Sequence, residues 1–333
     1  MERVVSGIRP TGNLHLGNYF GALQNFIKMQ NTHSCYFFIA DYHSLTTHPN
    51  PADLHQNVKQ VLVEYLAAGL DPEKSAIYLQ SDLPETAEMY LLLNMNAYMG
   101  ELERSASFKD KVRTQPENVN AGLLTYPVLM AADILIHNAH KVPVGKDQEQ
   151  HLEMTREYAR RFNKMYHTDF FTEPTAFNFG EKLVKVPGLD GTGKMSKSDT
   201  GMNAIFLCDD DKQIEKKIKA AKTDLGPQGE NTPFSPEIEN IFALFELVSS
   251  KETINYFKLK WNNGEEKWYG EMKKQLITDM VSFVNPIRQR IQELSKDSEY
   301  LSKVARLGAE KAHESGAETV RKMREIIGFK KFY

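Results

Sequence analysis

Residues 5–22 read VSGIRPTGNLHLGNYFGA, an apolar run that breaks at a glycine-punctuated turn and resumes with helical spacing. Such a strand-turn-helix opening leaves the first N–H groups of the helix without intrahelical partners. It also aims the positive end of the helix dipole out of the turn, so the turn welcomes an anion. Gly7, Gly12 and Gly17 let a large ligand come close to the backbone. His15 and Asn18, three apart, share one side of the first helical turn, and both side chains can donate hydrogen bonds. The pattern is that of a phosphate-binding turn.

The text that follows predicts an α/β fold. Residues 3–6 form the first strand, and the helix over 17–30 carries Phe20, Leu23, Phe26 and Ile27 near helical spacing. CYFFIA at 35–40 reads as a buried parallel strand whose end opens into the polar Asp41, Tyr42, His43 and Ser44. Pro51 and Asp53 start a helix that Gly69 stops. A third strand at 76–80 and a third helix at 85–99 complete β-α-β-α-β-α, which implies right-handed crossovers and a doubly wound, Rossmann-like parallel sheet. Ligands of such sheets bind beyond the carboxyl ends of the strands, which would gather residues 6–18 with 41–44.

Residues 101–120 are charged and irregular and read as an exposed connection. Residues 123–138 are helical and apolar except for Asp133, a carboxylate costly to bury unless something donates to it. A short strand at 141–144 ends at Gly145, and the helix from Gln148 repeats the opening pattern. A last short strand is predicted at 183–186. PGLDGTGKMSKSD at 187–199 then combines Gly188, Gly191 and Gly193 with the donors Lys194, Ser196, Lys197 and Ser198, as a mobile phosphate clamp would. From Asp211 onward the pattern is helical, with 262–267 as a loop. The expected division is a catalytic domain at 1–200 and a C-terminal all-helical domain at 201–333, its last helix packing back on the first.

With 333 residues and 41% apolar content the chain can bury a full core. A net charge of −3 argues against a general nucleic-acid coat but leaves room for local basic patches. No run of eighteen apolar residues and no signal-peptide pattern occur, so a cytoplasmic protein with no membrane association is expected. Cys35 and Cys208 are too few for a disulfide framework or a thiolate metal site, and both are expected buried and reduced.

PTGNLHLGN at 10–18 and KMSKS at 194–198 together resemble the two signatures of the class I aminoacyl-tRNA synthetases. SGIRPTG, GELER at 100–104, AGLLTYPVLMAADIL at 121–135 and VPVGKDQEQHLEMTRE at 142–157 narrow the resemblance to the bacterial-type tryptophanyl-tRNA synthetases. That resemblance implies activation of L-tryptophan by ATP, with Mg²⁺ carried by the nucleotide phosphates rather than by a protein cage, and then transfer to the terminal ribose of tRNA. In-line attack on the α-phosphate needs positioning and charge stabilisation rather than a protein nucleophile.

By the resemblance His15 and Asn18 sit on the ATP phosphates, while Gly17 admits the nucleotide and Arg9, Pro10 and Thr11 flank it. Gly145, Lys146 and Asp147 hold the ribose. Lys194 and Lys197 meet the outer phosphates, Lys111 or Lys109 adds to them, and Val186, Met195, Ser196 and Ser198 complete the nucleotide site. Indole has one donor and no acceptor, so a selective pocket needs one acceptor among apolar walls, and Asp133 fits. The substrate N–H would be the partner that makes its burial tolerable. Met130, Ile134, Val142 and Val144 are implied around the indole with His43 at the rim, Val5 and Gly7 are counted in the same site, and Tyr126 and Gln148 hold the ammonium and carboxylate. Asn18 replaces the second histidine of the general signature, and Val5 stands where some relatives carry an aromatic. For tRNA, Lys216, Lys217, Lys219 and Lys222, with Arg321, Lys322, Arg324, Lys330 and Lys331, are basic runs suited to phosphates, and the family works as a homodimer. A tyrosine-specific relative, a non-catalytic RNA-binding paralogue and a small adenylyltransferase are the alternatives. AADIL and GKDQEQH oppose the first, the intact motif residues the second, and KMSKS with a helical C-terminal region the third.

Overall fold

The computed structural model describes residues 1–145, 148–177, 184–191, 193–196, 201–330 and 332. Five parallel strands form one sheet in the order β3-β2-β1-β4-β5: β1 (Arg3–Ile8), β2 (Ser34–Ile39), β3 (Ser75–Leu79), β4 (Lys141–Val142) and β5 (Thr175–Ala176). The apolar strands fill its centre, with Val4, Val5, Phe37, Ile39 and Ile77 fully buried. Strand order reverses between β1 and β4, which places the crevice of a doubly wound sheet beyond their carboxyl ends, at Arg9 to Thr11 and Pro143 to Gly145.

Local chemistry sets the helices. Asn50 caps Pro51–Ala68 by accepting from the Ala52 N–H, and Gly69 ends it in the left-handed conformation at φ 115°. Asn120 caps Ala121–Leu135 through the Leu123 N–H. The buried face of that helix includes Val128, Ala131, Ala132 and Leu135, and it packs against Glu85–Asn94 and Glu149–Met165.

Three expectations are corrected. The third helix stops at Asn94, short of Met99. Residues 101–120 are not an irregular connection: helices Met99–Arg104 and Ala106–Thr114 and a 3-10 turn Pro116–Asn118 run through them. Ala106–Thr114 has no buried residue, so it lacks the apolar stripe that reveals most helices. The strand placed at 183–186 is not one either. Leu183 lies outside the described residues, and Val184 to Val186 are loop; Val186 O accepts from the Met195 N–H at 2.7 Å, and the fifth strand is Thr175–Ala176.

Two compact units emerge, and neither is continuous in the chain. The first comprises Met1–Gly12, Asn25–Lys182 and Asp297–Tyr333; the second comprises Asn13–Gln24 and Leu183–Lys296. The first holds the sheet, and the helix Ser298–Ile327 lies against β3. The second is helical, with Asp211–Ala220, Pro236–Val248, Lys251–Asn262 and Tyr269–Leu294. Its core is aromatic: Phe234 stacks on Phe242 at 4.7 Å, and the edge of Trp261 meets Phe234 at 5.1 Å.

Close approach of Ser298–Ile327 to β3 depends on Gly308, because a Cβ there would lie 1.8 Å from the Ile77 carbonyl oxygen. That clash is with backbone, which cannot rotate away. Gly308→Ala is expected to destabilise the protein by about 3 kcal/mol in equilibrium urea unfolding. Gly270→Ala, in the first turn of Tyr269–Leu294 where the added carbon meets nothing within 4 Å, should cost no stability and raise it by up to about 1 kcal/mol.

Candidate nucleotide and amino-acid sites

In the first unit the candidate amino-acid site is centred on Asp133, only 3% exposed near the end of Ala121–Leu135. His43, in the turn after β2, brings Nε2 within 2.8 Å of Asp133 Oδ2. Gln80, directly after β3, donates from Nε2 to Asp133 Oδ1 at 2.7 Å. The Gln80 Oε1 accepts from the His43 N–H at 3.4 Å. Burial pushes the Asp133 pKa up; hydrogen bonds and charge from His43, then the Gln80 hydrogen bond, pull it back, and the Asp41 carboxylate nearby adds to the push. Two protein donors therefore make this burial tolerable before any substrate arrives, where the substrate N–H was the expected partner.

The walls follow from the same elements. The His43 ring meets the edge of Tyr126 at 4.7 Å, and Tyr126 meets His151 at 5.3 Å. His151 bonds Gln148 Oε1 through Nδ1 at 2.9 Å and Ser107 Oγ through Nε2 at 2.8 Å. The structure thus brings His43, Tyr126, Gln148 and Asp133 into one connected set. Val5, Ile134 and Val142 are buried in the core, whereas Met130 and Val144 are partly exposed against it. Gln80 and His151 were missed as site residues. The carboxyl-end rule could have flagged Gln80, the first residue after a strand. Arg9, at the end of β1, has a buried Nε without a hydrogen-bond partner among the described residues.

In the second unit His15 caps the helix Leu16–Asn18. Its Nδ1 accepts from the Asn18 N–H at 3.3 Å, and Asn18 Oδ1 accepts from the His15 N–H at 3.1 Å. This reciprocal cap puts the neutral ring's hydrogen on Nε2 and leaves the Asn18 amide to donate. A Cβ at position 17 would come within 2.8 Å of the His15 ring, so Gly17 leaves the ring room to hold its capping position. Backbone bonds from Leu16 N–H to Ile205 O, 2.9 Å, and from Leu207 N–H to Leu14 O, 3.0 Å, hold the cap on both sides. Met195 is buried, while Lys194 and Ser196 are exposed. Lys109 is exposed and Lys111 half-buried on Ala106–Thr114 in the first unit. Lys146, Asp147, Lys197, Ser198 and Lys331 lie outside the described residues.

The basic runs read for tRNA change character. Lys217 is buried, bonds Asp209 Oδ2 at 2.5 Å and sits 4.5 Å above the Phe206 ring, so it is structural rather than a phosphate contact. Lys219 pairs with Glu215. In the first unit Arg321, Lys322 and Arg324 pair with Glu325, Glu318 and Glu88. Lys216, Lys222 and Lys330 are exposed. Among the described residues no helix is long and apolar enough to cross a membrane.

Comparison with known proteins adds an independent line. A model of the class I tRNA synthetases for tryptophan and tyrosine matches residues 1–296. The chain is 58% identical to a tryptophan–tRNA ligase of Porphyromonas gingivalis over 99% of this chain and 100% of that protein. It is 41% identical to a tryptophan–tRNA ligase of Fusobacterium nucleatum, with 98% of each covered. Among solved structures, a tryptophanyl-tRNA synthetase of Campylobacter jejuni complexed with ADP and tryptophan superposes with a TM-score of 0.86 at 34% identity, covering 98% of this chain and all of that one.

Removing Lys217 would strand the Asp209 carboxylate, itself 4% exposed, without its cation. Lys217→Met is expected to cost about 3–5 kcal/mol in urea unfolding. The exposed Lys216→Met should leave stability within about 0.5 kcal/mol of the parent.

Proposed function

The chain belongs to the class I tRNA synthetases for tryptophan and tyrosine, and we infer that it is a tryptophan–tRNA ligase. It activates L-tryptophan with ATP to the aminoacyl adenylate, releasing pyrophosphate, and transfers tryptophan to the 3'-terminal ribose of tRNA. The observation that carries this reading is the 58% identity, over 99% of this chain and all of the relative, with a tryptophan–tRNA ligase.

In the first step a carboxylate oxygen of tryptophan attacks the α-phosphorus in line, and the bond to pyrophosphate breaks. No residue need form a covalent intermediate; the protein aligns the reactants and stabilises charge. His15 Nε2 and the Asn18 amide donate to the phosphates, a role favoured by the reciprocal cap that fixes both side chains. Lys194 and Lys197, with Lys111, offset the charge that grows on departing pyrophosphate. Mg²⁺ carried by the ATP would supply further Lewis-acid charge beside those lysines. Lys146, Asp147 and Gly145 hold the ribose, and Arg9 adds donors near the reacting carboxylate and phosphate. Asp133 takes the indole N–H, with Met130, Ile134, Val142 and Val144 around the ring and Tyr126 and Gln148 on the ammonium and carboxylate. In the second step the terminal ribose hydroxyl attacks the adenylate carbonyl and AMP leaves. The tRNA partner meets exposed lysines such as Lys216 and Lys222, and the working form is a homodimer.

With ATP, magnesium and bulk bacterial tRNA, the purified protein is expected to charge tryptophan and not tyrosine, measured as acid-precipitable labelled amino acid. Charging of tyrosine, or of neither, would overturn this reading. His15→Ala should slow tryptophan activation by about 10²–10³-fold with little change in tryptophan affinity.

A further inference from the structure

We propose that Gln80 is a specificity-determining positioning residue: together with His43 it surrounds Asp133 with hydrogen-bond donors only, and so holds that carboxylate as the acceptor-only partner of the indole N–H. The proposal rests on the reading of Asp133 given above.

The geometry leaves Gln80 one orientation. Its side chain is 1% exposed, its Oε1 faces the His43 main-chain N–H at 3.4 Å, and its Nε2 faces Asp133 Oδ1 at 2.7 Å. Flipping the amide would set oxygen against oxygen and leave the His43 N–H facing an NH₂ group. His43 approaches the other oxygen at 2.8 Å. An ionised carboxylate offers roughly four lone-pair sites, so two remain for a ligand. A protonated Asp133 would instead need an acceptor for its hydrogen, and Gln80 supplies none. His43 could accept only by moving its own hydrogen to Nδ1. That atom is buried with no hydrogen-bond partner among the described residues, so a hydrogen placed there would be left unpaired.

Among the described residues, the other ionisable groups that act on Asp133 or feel its charge are Asp41, from the segment that carries His43, and Tyr78 on β3. Asp41 is occupied by the Tyr42 and Ser81 N–H groups and the Ser81 hydroxyl. Burial pushes the Tyr78 phenol well up, and the Asp133 charge adds to it, so Tyr78 stays neutral. Asp41 raises the Asp133 pKa while Gln80 and His43 lower it, and losing the Gln80 donor tips that balance toward protonation. An acceptor-only site suits indole. A phenol placed there can donate, but its own lone pairs meet no donor.

The test compares tryptophan with 3-benzothienylalanine, which replaces the indole N–H by sulfur, in ATP–pyrophosphate exchange from about pH 6 to about pH 9. The parent's kcat/KM ratio should favour tryptophan and stay flat with pH. In Gln80→Met the ratio should fall by about tenfold at the acid end and recover toward the parent's value at the alkaline end, as Asp133 regains its charge. Gln80→Asn, which withdraws the donor by one methylene, should show the same trend more weakly; it keeps the test open if the methionine variant does not fold. A ratio unchanged in both variants, or lowered equally at every pH as a merely structural defect would give, overturns the proposal. Asp133→Ala, which leaves no acceptor at that position, separates the two levels. If its ratio matches the parent's, the reading of Asp133 itself has failed; if the ratio collapses there while the Gln80 variants stay flat, only the role of Gln80 has failed.

Discussion

A carboxylate out of contact with water survives in a protein only when donors replace the solvent it lost, and the first unit is arranged around meeting that need for Asp133. The helix Ala121–Leu135 carries Asp133, the turn after β2 carries His43, and the residue after β3 is Gln80. Three separate elements must therefore be in register before the carboxylate is satisfied. Parallel pairing of β2 with β3, Ile39 opposite Leu79, sets the two donors at the same end of the sheet. In this way sheet register, helix packing and the chemistry of the pocket become one constraint. Tyr126, itself against His43, extends that constraint through His151 to Gln148 and Ser107.

The second unit solves a different problem, which is to hold a histidine steady at the mouth of a short helix. The turn that His15 caps, Leu16–Asn18, runs directly into a π-helical segment, Tyr19–Leu23, and contacts from other segments brace it further. Backbone bonds to Ile205 and Leu207 brace the segment, and the Phe206 ring meets the His15 edge at 6.3 Å. Behind Phe206 stand the buried Lys217–Asp209 pair and Arg288, which donates to the Asp209 carbonyl at 2.9 Å. The aromatic pair Tyr19 and Phe20 further packs onto Phe283 of Tyr269–Leu294. The helical region thus supports the cap within the second unit, whatever part it plays toward tRNA.

Much of this was legible in the residues alone, for reasons that also explain what was not. The parallel sheet announces itself through short continuous apolar runs such as CYFFIA, the pattern of a strand covered on both faces. Asp133 stands out because a lone charge interrupts an apolar helix. Gln80 does not, since an uncharged amide at the end of a strand leaves no mark in hydropathy. Lys217 is misleading for the opposite reason: it sits in a lysine run that looks solvated, and its partner Asp209, eight residues earlier, is visible only once the chain folds. The helices over 99–114 escape notice because the second of them buries nothing. The assembly of each compact unit from segments far apart in the chain has no local signal at all, although Gly308 marks one of the close approaches that allow it.

The most direct measurement is of the charge on Asp133 itself. With the side-chain carboxyl carbons of aspartate labelled with carbon-13, the Asp133 resonance can be assigned by its absence in Asp133→Asn and followed with and without tryptophan. The expected result is a resonance at the carboxylate position at neutral pH that moves when tryptophan binds and does not move when 3-benzothienylalanine binds in its place. A resonance at the carboxylic-acid position at neutral pH, or one indifferent to tryptophan, would contradict the view that an ionised Asp133 is the acceptor around which the pocket is built.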